Sequence, residues 1–410
     1  MQVFTESSAD MTFLYAIAIA SILIQVLFVF QIFQHYRYVL KKFARKHTSY
    51  RPKVTLIMPC KGIDTAFDEN ISSFYRLDYD NYELMFVVES SEDAAYNRLL
   101  SLKDKFKDRT KAFKTSVLVA GIAKDGSQKL HNLLYACRNA EKDIEVFAFA
   151  DSDACVRSDW LSHLVYPLRK EKNGVASGYR WYVPLKNNFA TLALSAMNAK
   201  VAQLLGPTIF NCAWGGSMAV RVDVFRRLGI DKIWQNAASD DLTLSREVKK
   251  AKLKVIFVPA CLVASFEQTD WRSLFEFVRR QFVITRVIVP GTWWFGFFSS
   301  VFSVFGLWGF AGLAIFSYLA GSEYRHVFLA AAIVFLAGQI TGAFLRQRMI
   351  FRLLEAEAAK MKIAALADII ASPLWSLILF FCIASSAFGR IITWRGVRYK
   401  LTGPTEVVRL

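Results

Sequence analysis

The sequence predicts an α/β domain, a mostly parallel sheet with helices on both faces, held between apolar segments that belong in a membrane. Three observations predict it. Short apolar runs alternate with polar, amphipathic stretches from Val54 to about Val263, as strands and helices do when they follow one another in turn. One long uncharged apolar block precedes that region and three apolar blocks follow it. The composition, 54% apolar against 21% charged, would leave a purely soluble domain with too much exposed apolar surface. It also excludes a disordered tail, a collagen and a small disulfide scaffold.

In chain order, residues 1–10 are expected outside the membrane and 11–34 form the first span, because Met11–Phe33 carries no charge and about 20 apolar residues cross a bilayer. Glu6 and Asp10 precede it. Arg37, Lys41, Lys42, Arg45, Lys46, Arg51 and Lys53 follow it without an acid. This asymmetry puts the basic linker 35–53 and the domain after it in the cytoplasm.

Within the domain, 54–270, the strand expectations are Val54–Met58, Tyr82–Val88, Thr115–Leu118, Val146–Ala150, Gly174–Tyr179 and Lys254–Val258. Lys129–Glu141 and Asp241–Ala251 read as amphipathic helices, and Phe189–Cys212 as a buried or interfacial one. Residues 271–290 form an amphipathic helix in the headgroup plane: Phe275, Val278 and Phe282 recur at helical spacing, and Arg272, Arg279, Arg280 and Arg286 face phosphate.

The membrane region 291–388 offers Thr292–Ala320, Val327–Leu345 and Ile363–Phe388 as spans. Three simple crossings would leave the basic tail 389–410 outside, against the positive-inside rule. One segment therefore does not cross simply: either Ile363–Phe388, which holds Asp368 and Pro373, is broken or re-entrant, or the long first block passes twice. The net charge of +17 clusters beside the spans, so it argues for a membrane surface rather than for nucleic acid. Six cysteines without a CxxC pair read as reduced, scattered thiols.

The residues that carry chemistry sit at strand ends. Phe147-Ala148-Phe149-Ala150 runs into Asp151-Ser152-Asp153. Ligands of open α/β sheets bind outside the carboxyl ends of strands. Two hard oxygen donors there suit Mg²⁺ or Mn²⁺ beside a diphosphate, or else a capped turn. Glu89 and Asp93 follow a second strand and can accept from a ribose hydroxyl or a base N–H. Lys61 follows the first strand, and Lys129 with Asn132 opens a helix after Gly126; both lysines suit phosphate. Trp214-Gly215-Gly216-Ser217 lets backbone approach a ligand. Asp240-Asp241 begins a helix, where Asp240 suits a cap and Asp241 a general base toward an attacking hydroxyl.

In order and spacing, Pro59-Cys60-Lys61-Gly62, Asp93, Lys129-Leu130-His131-Asn132, Asp151-Ser152-Asp153, Gly215-Gly216-Ser217, Asp240-Asp241 and the ending Trp394-Arg395-Gly396-Val397-Arg398-Tyr399-Lys400-Leu401 resemble membrane-bound family-2-type GT-A glycosyltransferases. They are most similar to ceramide glucosyltransferases and their bacterial relatives. The resemblance implies a Rossmann-like GT-A domain plus transmembrane helices, and inverting transfer of a sugar, glucose first, from a UDP-sugar to a lipid hydroxyl, ceramide first. It implies a divalent metal (Mg²⁺ or Mn²⁺) faced by Asp151 and Asp153, nucleotide contacts from Lys61, Glu89, Asp93, Lys129, Asn132 and Asp151, and Asp241 as base. Acceptor or diphosphate contacts fall to Trp214, Gly215, Gly216, Asp240, Arg395 and Arg398. One motif departs. Where the family has Gln or Arg, two residues, then Arg-Trp, this chain reads Val278-Arg279-Arg280-Gln281-Phe282. Gln281 and Phe282 hold the Arg-Trp places, or Arg279 and Arg280 substitute by a small shift.

The expected partners are a UDP-sugar, a lipid acceptor and the bilayer, in the inner membrane of a bacterium or the Golgi or ER of a eukaryote. Diacylglycerol or a hopanoid is an alternative acceptor, and galactose or N-acetylglucosamine an alternative sugar. A processive polysaccharide synthase would need more spans. A transporter, with Asp368 as its intramembrane polar site, and a non-catalytic scaffold are the readings from other classes.

Overall fold

The computed structural model describes residues 8–45, 49–64, 66–394 and 397–410. Arg395 and Gly396 of the expected ending, and Glu6 and Lys46 of the expected charge asymmetry, lie outside the described residues. A seven-stranded sheet forms from β1 (Val54–Pro59), β2 (Tyr82–Val88), β3 (Lys114–Val119), β4 (Val146–Ala150), β5 (Asn173–Pro184), β6 (Ser217–Arg221) and β7 (Lys254–Glu267), in the order β3-β2-β1-β4-β6-β5-β7. Neighbours are parallel except around β6, which runs antiparallel to both β4 and β5.

The strands are continuous apolar runs because both faces of the sheet are covered. Leu56, Met58, Leu84, Phe86 and Ala148 point into one core. Ile57, Met85, Val87, Phe147 and Phe149 point into the other. The six strands read from the sequence all form. β6 is the addition: Ser217-Met-Ala-Val-Arg221 is short and follows a glycine pair, so it carries little signal of its own. The helix Phe189–Ala202 is buried along nearly its whole length.

A bulge between β5 and β7 positions the site. Ser177 pairs with Phe257 but Tyr179 pairs with Leu262, so four residues of β7 loop out opposite Gly178. A side chain at Gly178 would place its Cβ 1.8 Å from the Cys261 carbonyl oxygen; only glycine admits that approach. Ser177 stands level with Phe149 through their shared partner Met218. The stretch Tyr179–Pro184 therefore projects beyond the carboxyl edge where β4 stops.

Among the described residues three helices are long and apolar enough to cross a membrane: Thr12–Phe43, Pro290–Leu319 and Arg325–Leu353. The helix Pro290–Leu319 continues through a π-helical turn at Phe305–Gly309 and does not double back. Within that turn Gly306 lies against the Phe335 ring, too close for any side chain. Of the two topological exceptions, the broken segment is the one observed: Lys362–Ile370 and Ser372–Ser385 meet at 83°, with Pro373 just past the break.

Asp368 is not a free intramembrane site. Arg346 Nε donates to its Oδ2 at 2.6 Å and Gln347 Nε2 at 2.7 Å. Arg346 also reaches Gln203 Oε1 (3.3 Å), whose Nε2 donates to the Gly342 carbonyl (3.1 Å). This buried network ties the broken pair to the helix Arg325–Leu353 and to the turn after the Phe189–Ala202 helix.

The amphipathic helix spans Trp271–Ile288 and is capped by Asp270, which accepts from Ser273 N at 2.8 Å. Its arginines do not all face outward as expected. Arg279 donates to the Phe388 carbonyl (2.9 Å), Arg280 to that of Thr393 (3.1 Å), and Arg286 to those of Ala387 and Gly389. They satisfy carbonyls of the turn that follows the helix Ser372–Ser385 and, at Thr393, of the strand beyond it. The expected basic tail is folded as well. β8 (Ile391–Trp394), β9 (Val397–Gly403) and β10 (Glu406–Arg409) form an antiparallel sheet. Its Ile392, Tyr399, Leu401 and Val407 pack on Val283, Ile284 and Ile288.

Removing one partner of a buried ion pair strands the other. Arg346→Met is expected to cost about 3–5 kcal/mol, and Arg346→Met with Asp368→Leu much less, in a double-mutant cycle of unfolding in detergent. Equal losses in the single and double variants would deny the network its bracing role.

Candidate active site

The helix Gln128–Asn139 starts directly after Gly126, whose φ of +70° and whose contact with the Gln235 carbonyl exclude other residues. This tight entry aims Lys129 across the carboxyl edge of the sheet. Its Nζ lies 2.7 Å from Asp151 Oδ1, at the end of β4, and 3.1 Å from Asp240 Oδ2, at the start of the helix Asp240–Lys250. One ammonium thus joins two acidic clusters about ninety residues apart in sequence. Burial opposes its charge, but Asp151, Asp240 and Asp241 outweigh that and hold its pKa above the usual lysine value.

Asp241 is fixed on three sides. Its Oδ2 accepts from Gly215 N (3.0 Å), and its Oδ1 accepts from Leu242 N (2.7 Å) and from the Ser239 hydroxyl. Ser239, not Asp240, caps the helix, accepting from Leu242 N at 3.2 Å. Gly215 is required at its place, since a Cβ there would sit 2.3 Å from Asp240 Oδ2 and 2.9 Å from Lys129 Nζ. Burial pushes the Asp240 carboxyl up to about 6, with Asp241 and Asp151 adding to the rise against the pull of Lys129. Asp153 is likewise raised to about 6, by burial and then by Asp151.

A cleft of about 1200 Å³ gathers these groups. Of the residues expected from the sequence, Lys61, Glu89, Lys129, Asn132, Asp151, Asp153, Trp214, Asp240, Asp241, Arg280, Gln281 and Phe282 line it. Lys61 Nζ and Glu89 Oε1 pair across its rim at 2.8 Å. Gly215 and Gly216 are not part of the lining: Gly216 lies against the Trp214 ring, and Gly215 N donates to Asp241.

Others are not brought to it. Asp93 caps the helix Ala94–Phe106: its Oδ1 accepts from Ala95 N and from Gly62 N, both at 2.9 Å, which fixes the loop after β1 instead of reaching the cleft. Arg279 is turned to the Phe388 carbonyl. Arg398 sits on β9 opposite Thr393, outside the lining, and Arg395 lies outside the described residues. The lining also contains Asp64, Arg180, Tyr182, Glu267 and Arg409, which were not singled out in the sequence. Arg180 had a signal: it is a lone charge inside the apolar run Val175–Pro184.

Away from the carboxylates the walls become apolar, with Met197, Val201, Phe210, Phe282, Trp293 and Phe295. Phe210 and Phe295 stack at 4.2 Å between centroids. Both also line a second groove of about 440 Å³, which passes Phe28 of the first helix and Trp294.

The residues present fit a divalent cation of one kind. Among the described residues no three His, Cys, Asp or Glu side chains cluster as a closed metal cage. Asp153 Oδ1, however, is buried with no hydrogen-bond partner, and Asp151 stands beside it in the lining. A pair of carboxylates that leaves the remaining ligands to phosphate oxygens and water is how Mg²⁺-type ions are held in nucleotide sites.

The model of glycosyl transferase family 21 matches residues 13–407. Ceramide glucosyltransferase 3 of Caenorhabditis elegans is 33% identical over 115 residues, covering 28% of this chain. The chain spans about a quarter (24%) of the length of that relative. Among solved structures, the mannosyltransferase PcManGT from Pyrobaculum calidifontis, in complex with GDP-Man and Mn²⁺, is similar at a TM-score of 0.45 and 18% identity, over 91% of this chain and 97% of that one. GalNAc-T7 with UDP, GalNAc and Mn²⁺ follows at 0.40 and 12%, over 58% and 51%. With the family match covering nearly the whole sequence, the chain belongs to glycosyl transferase family 21, a family of sugar-transferring enzymes.

Proposed function

We propose that the protein transfers a sugar, glucose first, from a UDP-sugar to the hydroxyl of a membrane lipid, ceramide first, with inversion at the anomeric carbon. The observation that carries this reading is the single cleft, acidic under the carboxyl edge of the sheet and apolar toward the helices that are long enough to cross a membrane. A water-soluble donor and a lipid-anchored acceptor can meet there without either leaving its own solvent. The relatives' names support the same class.

At the polar end, Lys61 and Glu89 offer a cation and an acceptor to the nucleoside. Asp151 and Asp153 would hold the divalent metal. When bound, Mg²⁺ or Mn²⁺ supplies positive charge to the diphosphate leaving group. Lys129 keeps Asp151 and Asp240 in place meanwhile and adds fixed positive charge behind them.

Asp241 takes the proton of the acceptor hydroxyl. The donors Gly215 N, Leu242 N and Ser239 Oγ hold its carboxylate in one orientation, so little reorganisation accompanies the transfer. One base acting on one attacking hydroxyl, opposite the departing diphosphate, gives inversion. Walls such as Met197, Val201, Phe210 and Trp293 exclude water and favour hydrocarbon over sugar chains, which separates this reading from a polysaccharide synthase. They suit the tails of ceramide, diacylglycerol or a hopanoid alike.

Three measurements bear on the proposal. Mass spectrometry of lipids from a host without glycolipids, expressing this chain, is expected to show a new monoglycosyl lipid; an unchanged lipid profile, with the protein folded in the membrane, would sink the enzymatic reading. Asp241→Asn should lower turnover by about 10²–10⁴-fold while UDP still binds; equal loss of both would remove Asp241 from the base role. Asp153→Ala should weaken Mn²⁺-dependent UDP binding, read by titration calorimetry, and an unchanged metal titration would move the cation elsewhere.

A further inference from the structure

Arg180 occupies a place that neither the proposed mechanism nor the fold accounts for. It lies on the part of β5 that projects past the carboxyl edge, just beyond the bulge opposite Gly178, and it lines the cleft. Three rings from three parts of the chain surround its guanidinium: Tyr182 of β5 at 4.9 Å, Trp214 of the glycine loop at 5.5 Å and Phe277 of the amphipathic helix at 5.3 Å. Such a cage fixes a long side chain and strips water from it. Yet Nε is buried with no hydrogen-bond partner. Across the cleft Asp153 Oδ1 is also buried and without a partner. The two groups attract each other electrostatically but do not satisfy each other. An arginine kept only to balance Asp153 would donate to it.

A desolvated guanidinium with an unused N–H calls for an anionic oxygen, and its fork matches phosphoryl oxygens. A sugar or a neutral lipid hydroxyl would not need a permanent charge held in an aromatic cage. The position fits as well, between the acidic cluster and the amphipathic helix, where a diphosphate on one side and a lipid headgroup on the other would both come within reach. We infer that the Arg180 guanidinium donates to a phosphoryl oxygen of a ligand in this cleft, which makes it a substrate-contacting residue in addition to the carboxylates. The inference rests on the proposed function for the presence of phosphate. The donor's diphosphate and a phosphorylated lipid headgroup share the chemistry.

The test uses the full chain in detergent, with UDP plus Mn²⁺ and a polyprenyl phosphate as separate probes in titration calorimetry. Arg180→Met is expected to lower UDP affinity at least about tenfold, the loss of one charge-assisted hydrogen bond, with the thermal midpoint unchanged. Arg180→Lys should recover part of that loss. UDP affinity held within about twofold, together with lost binding of the polyprenyl phosphate, assigns the contact to the lipid and sustains the inference. Wild-type binding of both probes by Arg180→Met overturns it and leaves the function standing. Should Arg180→Met not fold, Arg180→Lys decides, and unchanged affinity for both probes again overturns it. A wild-type chain that binds UDP in neither presence nor absence of Mn²⁺ instead defeats the function, and the lipid probe alone then judges Arg180.

Discussion

The site depends on one ammonium group. Asp151 and Asp153 end a strand, Asp240 and Asp241 begin a helix almost ninety residues later, and like charges at such distances repel strongly in a partly buried setting. Lys129 stands between the two groups, touching Asp151 and Asp240. Even so, burial, and then Asp241 and Asp151, keep the Asp240 carboxyl above its ordinary value. Packing alone cannot hold such a set together. It needs a lysine delivered by a helix whose start is forced by Gly126, and a backbone at Gly215 that leaves room for the ion pair. The same loop then spends its N–H on Asp241, so neutralising one carboxylate and orienting its neighbour are a single structural event.

The second constraint is mechanical. Two polar brackets tie the sheet domain to the apolar helices. On one side Gln203, Arg346, Gln347 and Asp368 connect the turn after the Phe189–Ala202 helix to the helix Arg325–Leu353 and to the broken pair. On the other side Arg279, Arg280 and Arg286 grip the carbonyls of Ala387, Phe388, Gly389 and Thr393, and the small C-terminal sheet packs against the same helix.

Much of this was legible because each element carries a local signal. The doubly covered sheet shows as unbroken apolar runs, and the uncharged blocks show as candidate spans. Strand ends running into carboxylates pointed to one edge, and Lys129 and Asp241 fall there. What stayed hidden is non-local. Asp93 reads as a ligand in sequence, and its Oδ1 also accepts from Gly62 N and Ala95 N, a partnership that spacing does not reveal. β6 is too short to stand out. The tail read as free basic residues because the alternation of Tyr399 and Leu401 with Arg398 and Lys400 means burial only once the amphipathic helix lies beneath it. Arg180 is visible as a charge in an apolar run, yet its value comes from Trp214 and Phe277, which no window around it contains.

The departed motif gains a physical explanation from the same geometry. On the amphipathic helix, Val278, Gln281, Phe282 and Thr285 fall on the stripe facing the cleft, as helical spacing requires. Arg279, one step and about 100° round the helix, is carried off that stripe, where the Phe388 carbonyl takes it. Arg280 borders the cleft, but its guanidinium is committed to Thr393 and to the rings of Phe277 and Trp394. This helix therefore presents amide and hydrocarbon to the site, and its positive charge goes into holding the C-terminal sheet. Positive charge deep in the cleft comes from the sheet domain instead, from Lys129 below the carboxylates and Arg180 on the projecting end of β5. A small shift that let Arg279 or Arg280 act in place of an Arg-Trp pair would have to break their contacts with the carbonyls of Phe388 and Thr393.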